Sequence, residues 1–252
     1  MHFAVAQMSS IPALYAGSRL FSGPWAAAVV TLIFAILGRL VHGVTISGAF
    51  AGAVVCFAIY SGVGPGAFLA VVFVFTITWL ATRLGYRRKL RLGTAEKKDG
   101  RRASQVLANL AVAGACAAAY GYLQKEILLL GLAAALAEAA ADTVSSEVGQ
   151  LSLHEARLIT NWEAVPAGTD GGVSWAGSLA GLAAAAAVSL VCFLANVIPG
   201  RLVAPAILAG AVGMIADSYM GAVLERRRLL KNDAVNFLGT VTAVAVAFLF
   251  GR

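Results

Sequence analysis

Charge is scarce in this sequence. Only 12% of its 252 residues are Asp, Glu, Lys or Arg, where soluble domains carry ~25%. That scarcity, with 60% hydrophobic residues and a mean hydropathy of +0.84, excludes a water-soluble domain. Cysteine is also rare. Cys56, Cys116 and Cys192 fall inside apolar runs, without CxxC spacing or a nearby His, so neither a disulfide framework nor a zinc site is expected. The first 23 residues lack a basic region followed by a clean apolar run. No cleaved signal peptide is expected there, and an interfacial helix is compatible with that stretch. Nor does a Walker loop occur: GVGPGA at residues 62–67 has no strand before it and no Gly-Lys-Ser/Thr after it.

What is present is a series of eight apolar spans. They cover Trp25–Val41, Val44–Gly62, Gly66–Thr82, Ser104–Tyr122, Ile127–Val148, Ser174–Ala195, Val203–Val223 and Ala234–Phe250. Each approaches the ~20 residues that a bilayer crossing needs. The expected fold is therefore all-α, a polytopic transmembrane bundle of about eight spans. Residues 24–252 form one domain, with loops near 83–103, 149–173 and 224–233. Gly and Ala crowd 111–119, 133–141 and 176–187, as helices that approach one another closely in lipid require.

The net charge of +7 is distributed unevenly. Arg83 to Arg102 holds nine basic residues and two acidic ones. With that loop in the cytoplasm, eight spans place fifteen Lys and Arg on the cytoplasmic side and four outside. The positive-inside rule accounts for the surplus, so nucleic acid is not an expected partner. The same rule puts both termini outside and every polar loop inside. A multi-pass protein of a bacterial inner membrane, with its site facing the cytoplasm, is expected.

Acidic residues inside such spans are the informative exception. A carboxylate at mid-membrane costs about 2.5–3.5 kcal/mol on insertion scales and usually marks a working site. LAAALAEAAADTVSSEVG, residues 132–149, carries Glu138, Asp142 and Glu147. Glu138 and Asp142 share a helical face. Glu147 lies ~140° round from Asp142 and joins it only if the helix loosens near Ser145 and Ser146. Magnesium seeks such carboxylate and hydroxyl oxygens, often shared with phosphates, and Ser146 stands one turn from Asp142. Asp217, on the seventh span, is a further intramembrane acid, and Glu225 follows at that span's end. Pro166 to Gly172, PAGTDGG, leads to Ser174, an N-cap candidate for the sixth span. Its glycines can turn backbone N–H groups towards an anion, or form an ordinary turn. Arg101, Arg102, Gln105 and Asn109 open the fourth span; Asn232, Asp233 and Asn236 open the eighth. Carboxylates, amides, arginines and a glycine loop on one membrane face suit a magnesium-bound phosphorylated substrate.

The segments GRRASQVLANL, AAADTVSSEVG, LITNWEAVPAGTDGGVS, IADSYMGA and NDAVNFLGT, in that order, resemble the transmembrane protein nineteen / phytyl-phosphate kinase family of integral membrane proteins. The resemblance runs from about Gly38 to the C-terminus. It implies a kinase that uses a nucleoside triphosphate, CTP favoured, to convert a phytyl- or geranylgeranyl-type monophosphate to the diphosphate, with Mg2+ and membrane lipids as partners. Asp142, Glu147 and Asp217 are among the positions that match the family, and the clusters they stand in point to catalytic and metal-binding roles for them. The resemblance implies substrate contacts for Arg101, Arg102, Gln105, Asn109, Gly168, Thr169, Gly171, Gly172, Asn232, Asp233 and Asn236. Glu138 departs from the family pattern, which has a small residue there; with Ser146 it is a further metal-ligand candidate. Two alternatives stay open: a CDP-lipid-forming cytidylyltransferase and a lipid or solute transporter.

Overall fold

A computed structural model describes residues 23–96, 98–152 and 155–250. The N-terminal segment 1–22 lies outside the described residues, as do Arg19 and Arg252, two of the four basic residues assigned to the outer side. Eight long helices stand where the apolar runs predict them. They are α1 (Pro24–Leu40), α2 (Ile46–Gly62), α3 (Pro65–Arg83), α5 (Ala103–Leu123), α6 (Glu126–Gly149), α7 (Trp175–Leu194), α8 (Val203–Met220) and α9 (Asn232–Phe250). A short helix, α4 (Tyr86–Leu92), lies in the basic loop. Six of the long helices are long and apolar enough to cross a membrane. Helices α1 and α2 have 17 residues each. At 1.5 Å per residue that is ~26 Å, close to the ~30 Å hydrocarbon core.

Helix α6 is the axis of the bundle. From Leu130 to Ala141 every residue is buried, as expected of a helix that is apolar all round. It packs against α3, α5, α7, α8 and α9. Small residues permit this: a Cβ on Gly181 would stand 2.8 Å from the carbonyl oxygen of Ala141, and one on Gly177 2.6 Å from that of Ser145. In lipid such close approach, rather than water exclusion, is what holds helices together.

Successive connections alternate between two ends of the bundle. At one end the α1–α2 turn meets the basic loop, with Arg101 N–H donating to Gly43 O (3.0 Å) and Thr45 N–H to Arg101 O (3.0 Å). Arg88 of α4 donates to the Leu151 and Ser152 carbonyls beyond α6, and Gly171 abuts Ala222 after α8. At the other end Arg201 pairs with Glu126, and Gly66 abuts Ala195. The loops near 83–103, 149–173 and 224–233 thus share one end, hereafter the basic end. The loop after α6 holds a feature that the expected irregular turn did not include. Three short strands, β1 (Ala156–Leu158), β2 (Ala164–Val165) and β3 (Gly172–Val173), pair antiparallel in the order β2-β1-β3.

Candidate functional site

Two cavities open at the basic end. The smaller, about 120 Å³, is a polar cleft floored by α6 and α8 and roofed by the glycine loop. Asp142 and Ser146 enter it from α6, Asp217 from α8, and Asn232 from the start of α9; Gly168, Thr169, Gly171 and Gly172 line its roof. The roof is held in place. Gly171, at φ 73°, presses so closely on Ala222 that a Cβ would stand 2.5 Å from its amide nitrogen. Thr169 Oγ1–H donates to Pro166 O (2.7 Å), and Gly172 N–H to Thr169 O (2.8 Å). Ser174 caps α7 as expected, its Oγ accepting from Gly177 N–H at 3.1 Å.

Asp142 of α6 and Asp217 of α8 both line the floor of the cleft. Two acids lining one small cleft make it a favourable place for a cation. Asp217 is only 9% exposed, and its Oδ2 has no hydrogen-bond partner. Arg101 stands within electrostatic reach of Asp142 and donates to Thr143 Oγ1 at 3.4 Å. Among the described residues no three His, Cys, Asp or Glu side chains converge tightly enough to hold an ion alone. A paired carboxylate with one free buried oxygen nonetheless fits Mg2+, which takes one or two protein carboxylates and completes its shell with phosphate and water oxygens.

Glu225, noted at the end of the seventh span, and Asp170, within the glycine loop, also line this cleft, and neither was among the expected catalytic, binding or metal-ligating residues. Eight residues beyond Asp217, Glu225 would lie ~80° off that face on a regular helix. A wide turn, Gly221–Glu225, closed by Arg226 N–H donating to Gly221 O (3.2 Å), offsets the rotation. Such turns are frequent at functional sites. They leave no mark in the hydrophobic pattern, so only the acidic residue itself was a signal.

Glu147 is not brought to Asp142. Helix α6 stays regular to Gly149, so Glu147 points round the helix and pairs with Lys89 at 2.5 Å. Glu138 lies one turn deeper than Asp142, 1% exposed, with neither oxygen partnered. The amides serve as braces. Gln105 Oε1 accepts from Arg102 N–H, and Asn109 Oδ1 accepts from Asn236 Nδ2, tying α5 to α9. Arg102 is exposed at the N-terminus of α5. Asp233 sits in the first turn of α9, where a negative charge complements the helix dipole.

The larger cavity, about 600 Å³, lies between α1, α2 and α3 and reaches α5. Its walls are apolar, with Phe34, Cys56, Val71 and Phe75 among them, and its mouth is polar, with Lys98, Asp99 and Arg101. Arg101 therefore borders this cavity while its guanidinium reaches Thr143 of α6, the residue next to Asp142.

A profile of the integral membrane proteins DUF92 matches residues 29–244. The Arabidopsis thaliana protein named "Protein VTE6, chloroplastic" is 31% identical over 90% of this chain and 72% of its own length. An uncharacterized membrane protein of Methanocaldococcus jannaschii is 34% identical over 69% of this chain and 72% of its own length. The A. thaliana "Protein PGR" is 32% identical over 79% of the chain and 78% of its own length. No solved structure matches. With its multi-pass bundle of apolar helices and a profile match over most of its length, this chain belongs to the DUF92 family of integral membrane proteins.

Proposed function

We propose that this protein is a membrane-embedded phosphotransferase. It passes the γ-phosphoryl group of a nucleoside triphosphate, CTP favoured, to a prenyl monophosphate of phytyl or geranylgeranyl type. The single observation that carries this reading is an acid-lined cleft under a glycine loop at the same end of the bundle as an apolar cavity whose mouth holds Lys98 and Arg101. The relationship to the A. thaliana protein and the sequence resemblance to phytyl-phosphate kinases support the same reading.

In the proposed reaction an oxygen of the prenyl phosphate attacks the γ-phosphorus. The bond from that phosphorus to the β–γ bridging oxygen breaks, and nucleoside diphosphate leaves. The acceptor is already an anion, so no strong general base is needed. The chain supplies position and charge. Arg101 binds the acceptor phosphate beside the cleft. Backbone N–H groups of Gly168, Asp170 and Gly171 orient the donor phosphates under the roof, those of Thr169 and Gly172 being used within the loop. Asp142 and Asp217 are the residues that would hold Mg2+, with Ser146 beside them; when bound, that ion offsets phosphate charge. Glu225 and Asp170 confine an anionic substrate to a metal-bound form by repelling a free one. The surplus of basic residues at this end supports placing the site in the cytoplasm of a bacterial cell.

Purified protein with CTP and geranylgeranyl phosphate should yield CDP and the diphosphate. Pyrophosphate with a CDP-lipid would identify a cytidylyltransferase instead. Asp142→Asn and Asp217→Asn should each lower turnover by about 10²–10³-fold, the usual cost of removing one charge-stabilising group, while elution from a sizing column stays unchanged. Wild-type rates in either variant would remove that residue from the site.

A further inference from the structure

The larger cavity has a depth as well as a mouth. Its α3 wall runs from Thr82 to Val71, eleven residues, or ~17 Å at 1.5 Å per residue. At that level Phe34 of α1 lines the cavity, and two further rings pack in line with it beyond the lining. Phe68 of α3 packs edge-on against Phe34 of α1 at 5.4 Å, and Tyr60 of α2 lies 5.7 Å from Phe68. Helix α1 leans mainly on α2 and α3 mainly on α6, and the chamber is the space left between those pairs. Gly52 of α2 borders it part-way down. A Cβ there would touch only Val106 Cγ1, at 3.9 Å, so Gly52 leaves room that no protein atom uses.

We propose that this chamber is a ruler for the apolar chain of the phosphorylated lipid, and that Gly52 and the Phe34–Phe68–Tyr60 floor set the length it accepts. The occupant is an amphiphile because the cavity is one: Lys98 and Arg101 stand at the mouth, and apolar walls lie beneath them. An extended chain advances about 1.25 Å per C–C bond, given ~1.5 Å tetrahedral bonds. A depth of ~17 Å then takes thirteen or fourteen bonds, which is three to four isoprene units of four main-chain bonds each. The chamber volume, about 600 Å³, lies within the ~300–1,000 Å³ typical of ligand clefts and cavities. A fifteen-carbon chain, about twelve bonds, fits extended, and a twenty-carbon chain, about sixteen, fits with a bend. A chain of fifty-five carbons meets the ring floor.

The inference rests on the phosphotransferase reading for its kinetic readout, so binding is measured in parallel. Purified protein is given geranyl, farnesyl, geranylgeranyl and undecaprenyl phosphates, with CTP for turnover and as radiolabelled lipids for retention. The fifteen- and twenty-carbon chains should be bound and turned over best, and undecaprenyl phosphate about ten-fold or more worse. Gly52→Phe should lose about ten-fold or more on geranylgeranyl phosphate but keep geranyl phosphate, which also shows that the variant is folded. Phe68→Ala should do the opposite, admitting chains longer than twenty carbons. Length-selective retention without turnover would uphold the ruler and sink the kinase reading. Turnover that is indifferent to chain length, or unchanged by Gly52→Phe and Phe68→Ala, would sink the ruler and leave the kinase reading standing.

Discussion

Lys89 is 0% exposed and belongs to the seven-residue helix α4. Its ammonium has three N–H groups, and all three are used. They donate to Ala81 O (3.1 Å), Thr82 O (2.7 Å) and Glu147 Oε2 (2.5 Å). The two carbonyls belong to the last turn of α3, where free carbonyls and the helix dipole both favour a cation. Glu147 supplies the only negative charge in that set. Glu147→Ala would therefore leave a buried ammonium with two carbonyl dipoles, and breaking a buried pair costs about 3–5 kcal/mol. The Glu147 side chain is 12% exposed, so water can enter the gap and the lower figure applies. At ~2–4 °C per kcal/mol for a chain of this size, a loss of about 3 kcal/mol lowers the apparent Tm by about 6–12 °C.

The assay is thermal unfolding of detergent-purified protein, with scan rate and detergent held fixed. Glu147→Gln keeps an acceptor and should lose less than Glu147→Ala. The double variant Lys89→Met/Glu147→Leu removes both charges and should recover to within about 1 kcal/mol of wild type. It should also retain turnover, since Glu147 faces Lys89 rather than the cleft. An unchanged Tm in Glu147→Ala would refute the argument, and so would a double variant as unstable as the single one. A double variant that is stable but inactive would return Glu147 to the catalytic set.

Gly239→Ala should destabilise the protein by about 1–3 kcal/mol, the usual cost of overpacking, because its Cβ would stand 2.5 Å from Glu138 Oε1; Gly239→Ala/Glu138→Ala should recover most of that loss in the same melt. Membrane sidedness is testable because the three native cysteines are buried: in intact cells a membrane-impermeant thiol reagent should label Gln124→Cys but not Arg227→Cys, and the reverse pattern would invert the topology.

The fold was legible because its determinants are local. Eight apolar runs, the turn at His42–Gly43 and the glycines around Gly64 are each visible within about twenty residues. The helix ends fall within three residues of the expected ones. The cleft was half legible. Asp142 and Asp217 stand out because an acid in an apolar span is costly, and the glycine loop stands out by composition. Their meeting depends on the approach of α6 and α8, which no pattern along either helix encodes. Glu147 shows the opposite case. Its partner Lys89 is one of nine basic residues in a loop, and the sequence does not mark which of them turns inward. The larger cavity left no trace at all, because a void between helices is a property of packing and Gly52 looks like every other glycine in the spans.

Glu138 joins these two scales. From the sequence it is one acid too many. In the bundle it occupies a slot made by glycines of two other helices: a Cβ on Gly213 would stand 2.6 Å from Glu138 Cγ, and Gly239 closes the other side. Neither carboxyl oxygen of Glu138 has a hydrogen-bond partner there, which is costly for a buried polar group. It lies within electrostatic reach of both Asp142 and Asp217. Its oxygens extend the acidic column inward from the cleft. The glycines of α8 and α9 and the acid of α6 are therefore one construction. Any larger residue at 213 or 239 presses on Glu138, and through it on the backbone that aims Asp217 into the cleft.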